Sequence, residues 1–447
     1  MLDWVILLNY SHLLKCDDFQ FGFQELSSTS LCSWVVYETI DQYIRNGSIV
    51  YGCLLDCTKA FDTIKHSILF QKLLEAKVPP IVVRLLINIY RKQMANVRWK
   101  SRVSEKFPIR NGVRQGAIAS PILFCFYMDN LFSTLKSSGS GCRIGQYYAG
   151  VHGYADDLLL LCPSRSGLQE MLDIAYRYAT NHRISFSTNV IPSKSKTKGI
   201  IFSDKSLRFS PVPIKLDGIP LPWVEQSKYL GNRMTSRMDG FSSDIREKRA
   251  QFITRNCELN QEFSLAHPAV KCKINAIYNS SFPGSVLWDL SCDNAKMIVN
   301  SWSVAVRHMW DLPFNSHRYL IEELSGMHAQ TMLICRFINF IQSIKKSPKQ
   351  AVQFLYQKVK SNVETVTGKN IRYVIEKSGV EDIEDMKTNG LKKTLKFCES
   401  PSEHGWKVQF IKEIVDVKQK VLFLNQESDM MFEDEDLEYL IEFLSTN

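Results

Sequence analysis

Three aspartates occur where acidic side chains could hold metal ions beside a reacting phosphate. Asp56 directly follows an apolar run, residues 49–55. Asp156 and Asp157 are adjacent and lie between two further apolar runs. Neighbouring carboxylates repel each other unless a cation lies between them. Hard oxygen ligands suit Mg²⁺, and two such ions can hold both oxygens of an in-line displacement.

Strands must position these aspartates. Residues 49–55 are continuously apolar and β-branched, which predicts a buried strand that ends at Asp56. Residues 151–161 predict an apolar hairpin with Asp156 and Asp157 at its tip. If the two elements are neighbours, the three carboxylates form one cluster of oxygen ligands. Taken alone, an Asp-Asp pair more often marks a simple turn, because Asp favours turns.

The rest of the pattern mixes helices with strands up to about Phe202 and becomes mostly helical after Lys228. Ser120 and Pro121 predict a helix start, with Ser120 as the N-cap. A polar hairpin is predicted for residues 96–112 and a loop for residues 137–141. The predicted helices are residues 29–44, 64–74, 82–90, 122–131 and 244–258. Such an alternation favours an α/β or α+β fold.

The charge distribution suggests a polyanionic partner. The 447 residues contain 55 Lys and Arg against 46 Asp and Glu, a net charge of +9. Eight of the acidic residues and no basic residue follow Lys420, so the preceding chain carries +17. A body this basic favours nucleic acid over membrane as a partner. The alternative is a basic protein whose charge serves solubility, with a solvated acidic end.

Cysteine spacing and hydropathy exclude other classes of protein. Twelve cysteines are too sparse for a disulfide scaffold, and no CxxC spacing occurs. We therefore expect reduced thiols and no zinc site. The apolar segment 331–344 contains Arg336 and Asn339, so no membrane span is predicted. These features predict a soluble intracellular protein, in the nucleus, the cytoplasm or both.

Six segments in order resemble the motifs of reverse transcriptases. CLLDCTKAFD (residues 53–62), GVRQGAIASPILF (112–124) and YADD (154–157) are similar to motifs A, B and C. QFGFQ (20–24) resembles the segment before motif A, PSKSKTKGIIF (192–202) motif D, and KYLGN (228–232) the primer grip. The resemblance is to LINE-type, jockey-like enzymes of non-LTR retrotransposons and runs to at least Tyr319. Residues 267–290 look like their thumb. This ordering outweighs the simple-turn interpretation.

The resemblance implies a role for each matching residue. Asp56, Asp156 and Asp157 would bind two Mg²⁺ ions, with Mn²⁺ as a possible substitute, and would be catalytic. Phe61 would be a steric gate against a ribose 2′-OH, although a Phe after a strand is usually a core residue. The incoming nucleotide would contact Lys59, Ala60, Phe61, Gln115 and Gly116.

The remaining matches concern the nucleic acid and the leaving group. Lys194 or Lys196 would protonate the departing pyrophosphate, the alternative being a solvated basic run. The primer would contact Tyr154, Tyr229, Leu230 and Gly231. Lys248, Arg249 and Arg255 would contact the nucleic-acid backbone, although for each side chain taken alone a solvent-facing helix is the better interpretation.

The implied fold is α+β: a right-hand polymerase palm, with an antiparallel sheet and flanking helices, followed by a mainly helical thumb and C-terminal region. The expected divisions are residual fingers at 1–47, palm at 48–227, primer grip and thumb at 228–300, and a helical region with an acidic tail at 301–447. No residues match the fingers strands that grip the triphosphate. The chain therefore resembles an N-terminally truncated polymerase that lacks the element's endonuclease and zinc knuckle.

The expected function is RNA-directed DNA polymerase, with an RNA template, a DNA primer and dNTP as partners. The main alternative is a catalytically inactive nucleic-acid-binding remnant, which the absent fingers favour and the three intact aspartates oppose. An RNA-directed RNA polymerase is disfavoured by Phe61 and Ala155, and a group II intron maturase by KYLGN and residues 267–290. A structural or interaction role would rest on residues 300–447 alone. The oligomeric state is not predicted.

Overall fold

A computed structural model describes residues 2–189, 191, 194–205, 211–316, 321, 324–325, 329–378 and 383. The predicted acidic tail after Lys420 lies outside these residues. The described residues belong to two compact units. The first contains the described residues of Met1–Glu247, Pro283–Ala295 and Arg336–Met386, and the second contains those of Lys248–Phe282 and Lys296–Cys335.

The strands are mostly short and lie in the first unit. They are β1 Val50–Asp56, β2 Met94–Ala95, β3 Arg98–Trp99, β4 Arg102–Val103, β5 Phe107–Pro108, β6 Arg143–Ile144, β7 Tyr147–Tyr148, β8 Val151–Tyr154, β9 Asp157–Cys162, β10 Lys198–Phe202, β11 Lys215–Leu216, β12 Ile219–Pro220, β13 Trp223–Val224, β14 Gln226–Tyr229 and β15 Asn232–Thr235. Five of them form one sheet, in the order β13-β10-β1-β9-β8.

The α-helices precede, separate and follow the strands of this sheet in the sequence. They are α1 Leu2–Tyr10, α2 Thr29–Arg45, α3 Ala60–Thr63, α4 His66–Glu75, α5 Pro80–Arg91, α6 Ser120–Ser138, α7 Arg165–His182, α8 Ser242–Glu262, α9 Pro268–Ile274, α10 Asp293–Met309, α11 Ala329–Lys346, α12 Gln350–Val359 and α13 Val366–Ser378. The mixture confirms the predicted α+β class.

Strand β1 lies at the centre of the sheet, antiparallel to β9 and β10. Its buried residues explain this position: Val50 and Cys53 have no exposed surface and Leu55 is nearly inaccessible. The β8–β9 hairpin continues the sheet on one side, with Leu158 to Leu161 all buried. The predicted strand at 49–55 and the predicted hairpin at 151–161 are both confirmed. Burial on both faces accounts for the continuous apolar runs in their sequences.

Several predicted boundaries were wrong in detail. Ala119, not Ser120, is the N-cap of α6, because the Ser120 hydroxyl donates instead to the Arg114 carbonyl, 2.5 Å away. Helix α6 also continues through Ser138, into the predicted loop, and ends where Gly139 adopts a left-handed conformation. Helix α5 begins at Pro80 rather than residue 82, since proline is accommodated in the first turn of a helix.

The second unit is helical where it is described. A π-helical turn, Asn275–Asn279, follows α9 directly. Two tryptophans anchor its packing through their ring N–H groups: Trp302 donates to the Ser280 hydroxyl at 3.2 Å, and Trp310 donates to the Cys272 sulfur at 3.2 Å. The helical prediction after Lys228 is therefore confirmed for these residues.

Two further properties concern the described residues as a whole. No helix among them is long and apolar enough to cross a membrane. The described cysteines carry free thiols, and most of them are buried. Burial raises the pKa of several, for example that of Cys32 to about 12, which keeps these thiols protonated.

A buried carboxyl group in α2 makes stability depend on pH. Glu38 is 6% exposed and accepts a 2.6 Å hydrogen bond from the Thr367 hydroxyl, which in turn accepts one from the Trp34 ring N–H. Burial raises the pKa of Glu38 to about 7. Because the folded state binds this proton more tightly than the unfolded state, stability is lost as pH rises from the unfolded pKa through about 7.

Glu38→Gln is therefore expected to increase the free energy of unfolding at pH 8 by roughly 1–3 kcal/mol, with little effect at pH 4.5. Urea denaturation followed by tryptophan fluorescence at both pH values measures the difference. Glu75→Gln, at an exposed position in α4, is the matched control. An equal effect of Glu38→Gln at both pH values would show that ionisation of this carboxyl does not matter.

Candidate active site

The three aspartates meet at one end of the central strands. Asp56 is directly opposite Asp157 in the pairing of β1 with β9. Tyr154 pairs with Asp157 across the β8–β9 hairpin, so Ala155 and Asp156 form its two-residue turn. Ala155 has a left-handed backbone with φ of 58°. The structure therefore brings together the three carboxylates that the sequence predicts as one cluster.

The backbone around Asp56 is held from the other side of the sheet. Its N–H donates to the Thr197 hydroxyl at 3.3 Å, and its carbonyl accepts from the Ser187 N–H at 2.7 Å. Thr197 is completely buried. Asp56 is consequently held by Thr197 of motif D and by Ser187 of the segment that precedes motif D.

Electrostatic repulsion acts within this carboxylate cluster. Desolvation raises the pKa of Asp157, and the charges of Asp156 and Asp56 raise it further. Desolvation and the charge of Asp56 also raise the pKa of Asp156. A cation bound among these groups would relieve the repulsion and favour their ionised forms.

A cleft of about 580 Å³ opens beside Asp56 and Asp157. The ammonium group of Lys196 lies 3.9 Å from an oxygen of Asp56, and Lys194 lines the same cleft. Both lysines are exposed. The cleft is lined by Leu54, Leu55, Asp56, Asp157, Leu158, Lys194, Ser195, Lys196, Lys198, Ser227, Lys228, Tyr229, Leu230 and Gly231. Residues of motifs A, C and D and of the primer-grip segment thus share one surface.

The primer-grip segment forms a tight hairpin, β14–β15. Leu230 and Gly231 occupy its turn with φ of 47° and 79°, the left-handed pair that a type I′ turn requires. Tyr229 is buried, and its hydroxyl lies 3.4 Å from the Cys32 sulfur. Tyr229 therefore anchors the hairpin from inside, while the turn itself faces the cleft.

The predicted nucleotide contacts lie together but outside this cleft. Phe61 is half-buried and stacks on Phe124, with ring centroids 4.8 Å apart. Its carbonyl accepts from the Val113 N–H at 2.8 Å, which links motif A to motif B. The Gln115 amide donates to Asp62 at 2.9 Å.

The other matching positions in motifs A, B and C differ in exposure. Lys59 is exposed with a left-handed backbone, and Ala60, which follows it, is buried. Gly116 is exposed with φ of 83°, a conformation that favours glycine. Tyr154 is half-buried beside Phe23, with ring centroids 6.5 Å apart. Ala60 is therefore buried in this structure, while Lys59 and Gly116 lie at the surface.

The three residues of α8 that were predicted to contact the nucleic-acid backbone differ in exposure and in hydrogen bonding. Lys248 is buried, with 8% of its surface exposed. Arg249 donates to the Ser301 hydroxyl at 2.7 Å. Arg255 is exposed. The three side chains therefore differ in exposure, and their contact with a nucleic-acid backbone stays a prediction.

Sequence reasoning gave no role to Gln20 and Gly22, which support the Ala155–Asp156 turn. The buried Gln20 side chain accepts hydrogen bonds from the Ala155 N–H at 3.0 Å and the Gly22 N–H at 2.9 Å. A Cβ atom at Gly22 would lie 2.2 Å from the Ala155 nitrogen. The match of QFGFQ to the family was the available signal, but it carried no information about these contacts.

Comparison with known proteins identifies the family. The sequence profile of reverse transcriptase (RNA-dependent DNA polymerase) matches residues 6–234, just over half of the chain. This chain belongs to the reverse transcriptase family. The matched residues include every aspartate of the cluster and the whole β14–β15 turn.

The relatives of this reverse transcriptase include polyproteins of non-LTR retrotransposons. The Pol polyprotein of type-2 retrotransposable element R2DM of Drosophila melanogaster is 36% identical over 123 residues, 28% of this chain and 12% of that protein. The probable RNA-directed DNA polymerase of transposon X-element, from the same organism, is 26% identical over 287 residues, 62% of this chain and 30% of that protein. The chain thus spans less than a third of either relative.

Solved structures of telomerases are also similar. Telomerase of Candida albicans, solved with a fragment of telomeric RNA, has a TM-score of 0.35 and 11% identity, over 79% of this chain and 58% of that chain. The apo telomerase of Candida tropicalis has a TM-score of 0.39 and 12% identity, over 79% and 60% respectively.

Reverse transcriptases as a family depend on divalent metal ions. Among the residues that the structure describes, no three His, Cys, Asp or Glu side chains are arranged to hold one ion together. The donor chemistry nevertheless fits, because the clustered groups are carboxylates whose mutual repulsion a cation would relieve. Mg²⁺ usually takes one or two protein carboxylates and completes its coordination with water and phosphate oxygens.

Proposed function

We propose that the chain acts as an RNA-directed DNA polymerase, transferring a nucleotide from dNTP to a primer 3′-OH on an RNA template. The observation that carries this proposal is the placement of Asp56 opposite Asp157, with Asp156 in the adjoining turn. The cluster lies within the part of the chain that matches the reverse transcriptase family. We also propose the domain divisions expected from sequence, with the palm at 48–227 and the primer grip and thumb at 228–300.

The residues would divide the reaction among them. Asp56, Asp156 and Asp157 would hold Mg²⁺, or Mn²⁺ in its place, as two ions. When bound, these ions supply activation of the primer 3′-OH and stabilise charge on the phosphates. The Leu230–Gly231 turn would orient the primer end beside the cluster, and Phe61 would contact the sugar of the incoming dNTP.

An exposed hairpin supports nucleic acid as the partner. Strands β2–β5 form it within residues 94–108, and its Trp99 side chain is 75% exposed. Its basic residues and those on either side are all exposed, with Glu105 as the single acidic residue among them: Arg91, Lys92, Arg98, Lys100, Arg102, Lys106, Arg110 and Arg114. Basic groups interleaved with an aromatic ring favour contact with a nucleic-acid backbone and stacking on a base.

Primer extension tests the proposal. The full chain is incubated with a poly(rA)/oligo(dT) hybrid, dTTP and Mg²⁺, beside an Asp156→Asn variant. Extension by the parent and none by the variant would support the polymerase. If neither extends but both bind the hybrid with a steep salt dependence, the chain is the non-catalytic nucleic-acid-binding alternative.

The two motif D lysines are expected to differ in effect. Lys196→Met should lower kcat about 100-fold, because a positioned general acid contributes this much and its ammonium lies 3.9 Å from Asp56. Lys194→Met is the matched control, since Lys194 lines the same cleft without an ion pair to Asp56. Single-turnover extension as a function of pH measures both. A larger loss in Lys194→Met would assign the acid to that residue instead.

A further inference from the structure

Lys349, from the C-terminal part of the first unit, contacts the segment that supports the Ala155–Asp156 turn. Lys349 immediately precedes α12, is 7% exposed, and donates hydrogen bonds to the Asp18 carbonyl at 2.7 Å and the Gln20 carbonyl at 3.2 Å. Its ammonium also lies 4.9 Å from the centre of the Phe21 ring. Each of these contacts is on the QFGFQ segment or within two residues before it.

The same segment is joined to the hairpin that carries Asp156. The Phe21 N–H donates to the Gly153 carbonyl at 2.8 Å, and the Gly153 N–H donates to the Phe19 carbonyl at 2.9 Å. The Gln20 side chain then accepts from the Ala155 N–H at 3.0 Å. Ala155 is the left-handed residue immediately before Asp156, a conformation that alanine adopts only when its surroundings hold it.

We propose that Lys349 is a positioning residue for the catalytic turn, acting through Gln20 and the backbone of residues 18–21. A buried ammonium that satisfies two carbonyls and one aromatic face costs free energy to remove, because the carbonyls would be left unpaired. Lys349 does not line the cleft, so it would affect catalysis only through the turn. This catalytic consequence rests on the proposed function. It assigns a specific contact to Lys349, in a region for which the sequence offered only a general structural or interaction role.

Hydrogen–deuterium exchange of the full chain tests the link without requiring activity. In Lys349→Met, a peptide covering residues 150–160 is expected to exchange at least about tenfold faster than in the parent, because the Gly153 and Ala155 amides lose their restrained acceptors. Lys346→Met, at an exposed position of α11, should leave this exchange unchanged. Unchanged exchange in Lys349→Met would overturn the proposal.

Primer extension tests the catalytic consequence separately. Lys349→Met should lower kcat while KM for the hybrid stays constant, and should add no further loss in a Gln20→Leu background. Additive losses would mean that Lys349 does not act through Gln20, and would overturn that link. A parent chain that fails to extend counts against the proposed function, while the exchange result still decides the positioning role.

A second variant covers the case in which Lys349→Met does not fold. Lys349→Arg keeps the positive charge but places its donors differently in the same buried position. Faster exchange in residues 150–160 of this variant would support the proposal. Exchange equal to that of the parent, together with an unchanged kcat, would overturn it.

Discussion

Asp56→Asn and Asp156→Asn are each expected to reduce the rate of primer extension by at least about 1000-fold. Each substitution removes a hard oxygen and a negative charge from the cluster at the paired ends of β1 and β9. A cation bound there would stabilise the transition state by several kcal/mol. Single-turnover extension on the poly(rA)/oligo(dT) hybrid measures the loss. Asp173→Asn, at an exposed position in α7, is the matched control and should extend like the parent.

Substitution of an aspartate in the same cluster should increase the stability of the fold while it lowers activity. Burial and mutual repulsion raise the pKa values of Asp156 and Asp157, so both groups bind protons more tightly in the folded state. Stability is therefore lost as pH rises through their unfolded and then their folded pKa values. At neutral pH without divalent metal, Asp157→Asn should melt at a higher temperature than the parent.

Metal should reduce the difference in melting temperature between Asp157→Asn and the parent. Mg²⁺ binds the folded cluster, so it should raise the melting temperature of the parent more than that of Asp157→Asn. Loss of extension together with a lower melting temperature in all three Asn variants would instead indicate a structural role for the aspartates. Loss of extension with unchanged or increased stability is the result expected of a catalytic site.

Local patterns were sufficient to predict the strands of this site. Burial on both faces of the sheet leaves continuous apolar runs, so β1 and the β8–β9 hairpin could be recognised, and with them the meeting of Asp56 and Asp157. The Leu230–Gly231 turn was located only through the resemblance of KYLGN to the primer grip, and its left-handed glycine suits the type I′ turn found there.

Contacts between distant residues could not be predicted in this way. Serine is a common N-cap residue, yet the Ser120 hydroxyl donates its hydrogen bond to the Arg114 carbonyl. Lys194 and Lys196 are equivalent in sequence, and the ion pair with Asp56 alone separates them. Lys349 lies 329 residues from Gln20, and no periodicity connects two such positions.

The distant contacts and the local motifs contribute differently to the site. The motifs supply the groups with the right chemistry, while Gln20 and Gly22 fix a turn that Ala155 would not hold by itself. Precise placement matters here because phosphoryl transfer depends mainly on positioning and electrostatic stabilisation. Substitutions at supporting positions are therefore expected to lower activity without touching a reacting atom.

Phe61→Val is expected to increase the use of ATP relative to dATP by roughly 10- to 200-fold, the range that steric selection in an apolar pocket supplies. The Phe61 ring is held in place by stacking on Phe124 at 4.8 Å, and its backbone by the Val113 N–H. A fixed ring edge beside the sugar would collide with a 2′-OH, and valine would leave space for it. Extension of a poly(rU)/oligo(dA) hybrid with dATP or ATP measures the ratio.

Phe70→Val separates this role from packing. Phe70 is also half-buried and contacts the Tyr90 ring, with centroids 5.8 Å apart, but it lies in α4 outside motif A. Both variants should lower the melting temperature, since each removes buried apolar surface. Phe61→Val alone should change the choice of sugar. If both lower stability and neither changes the ratio of ATP to dATP use, Phe61 is a core residue and nucleotide selection lies elsewhere.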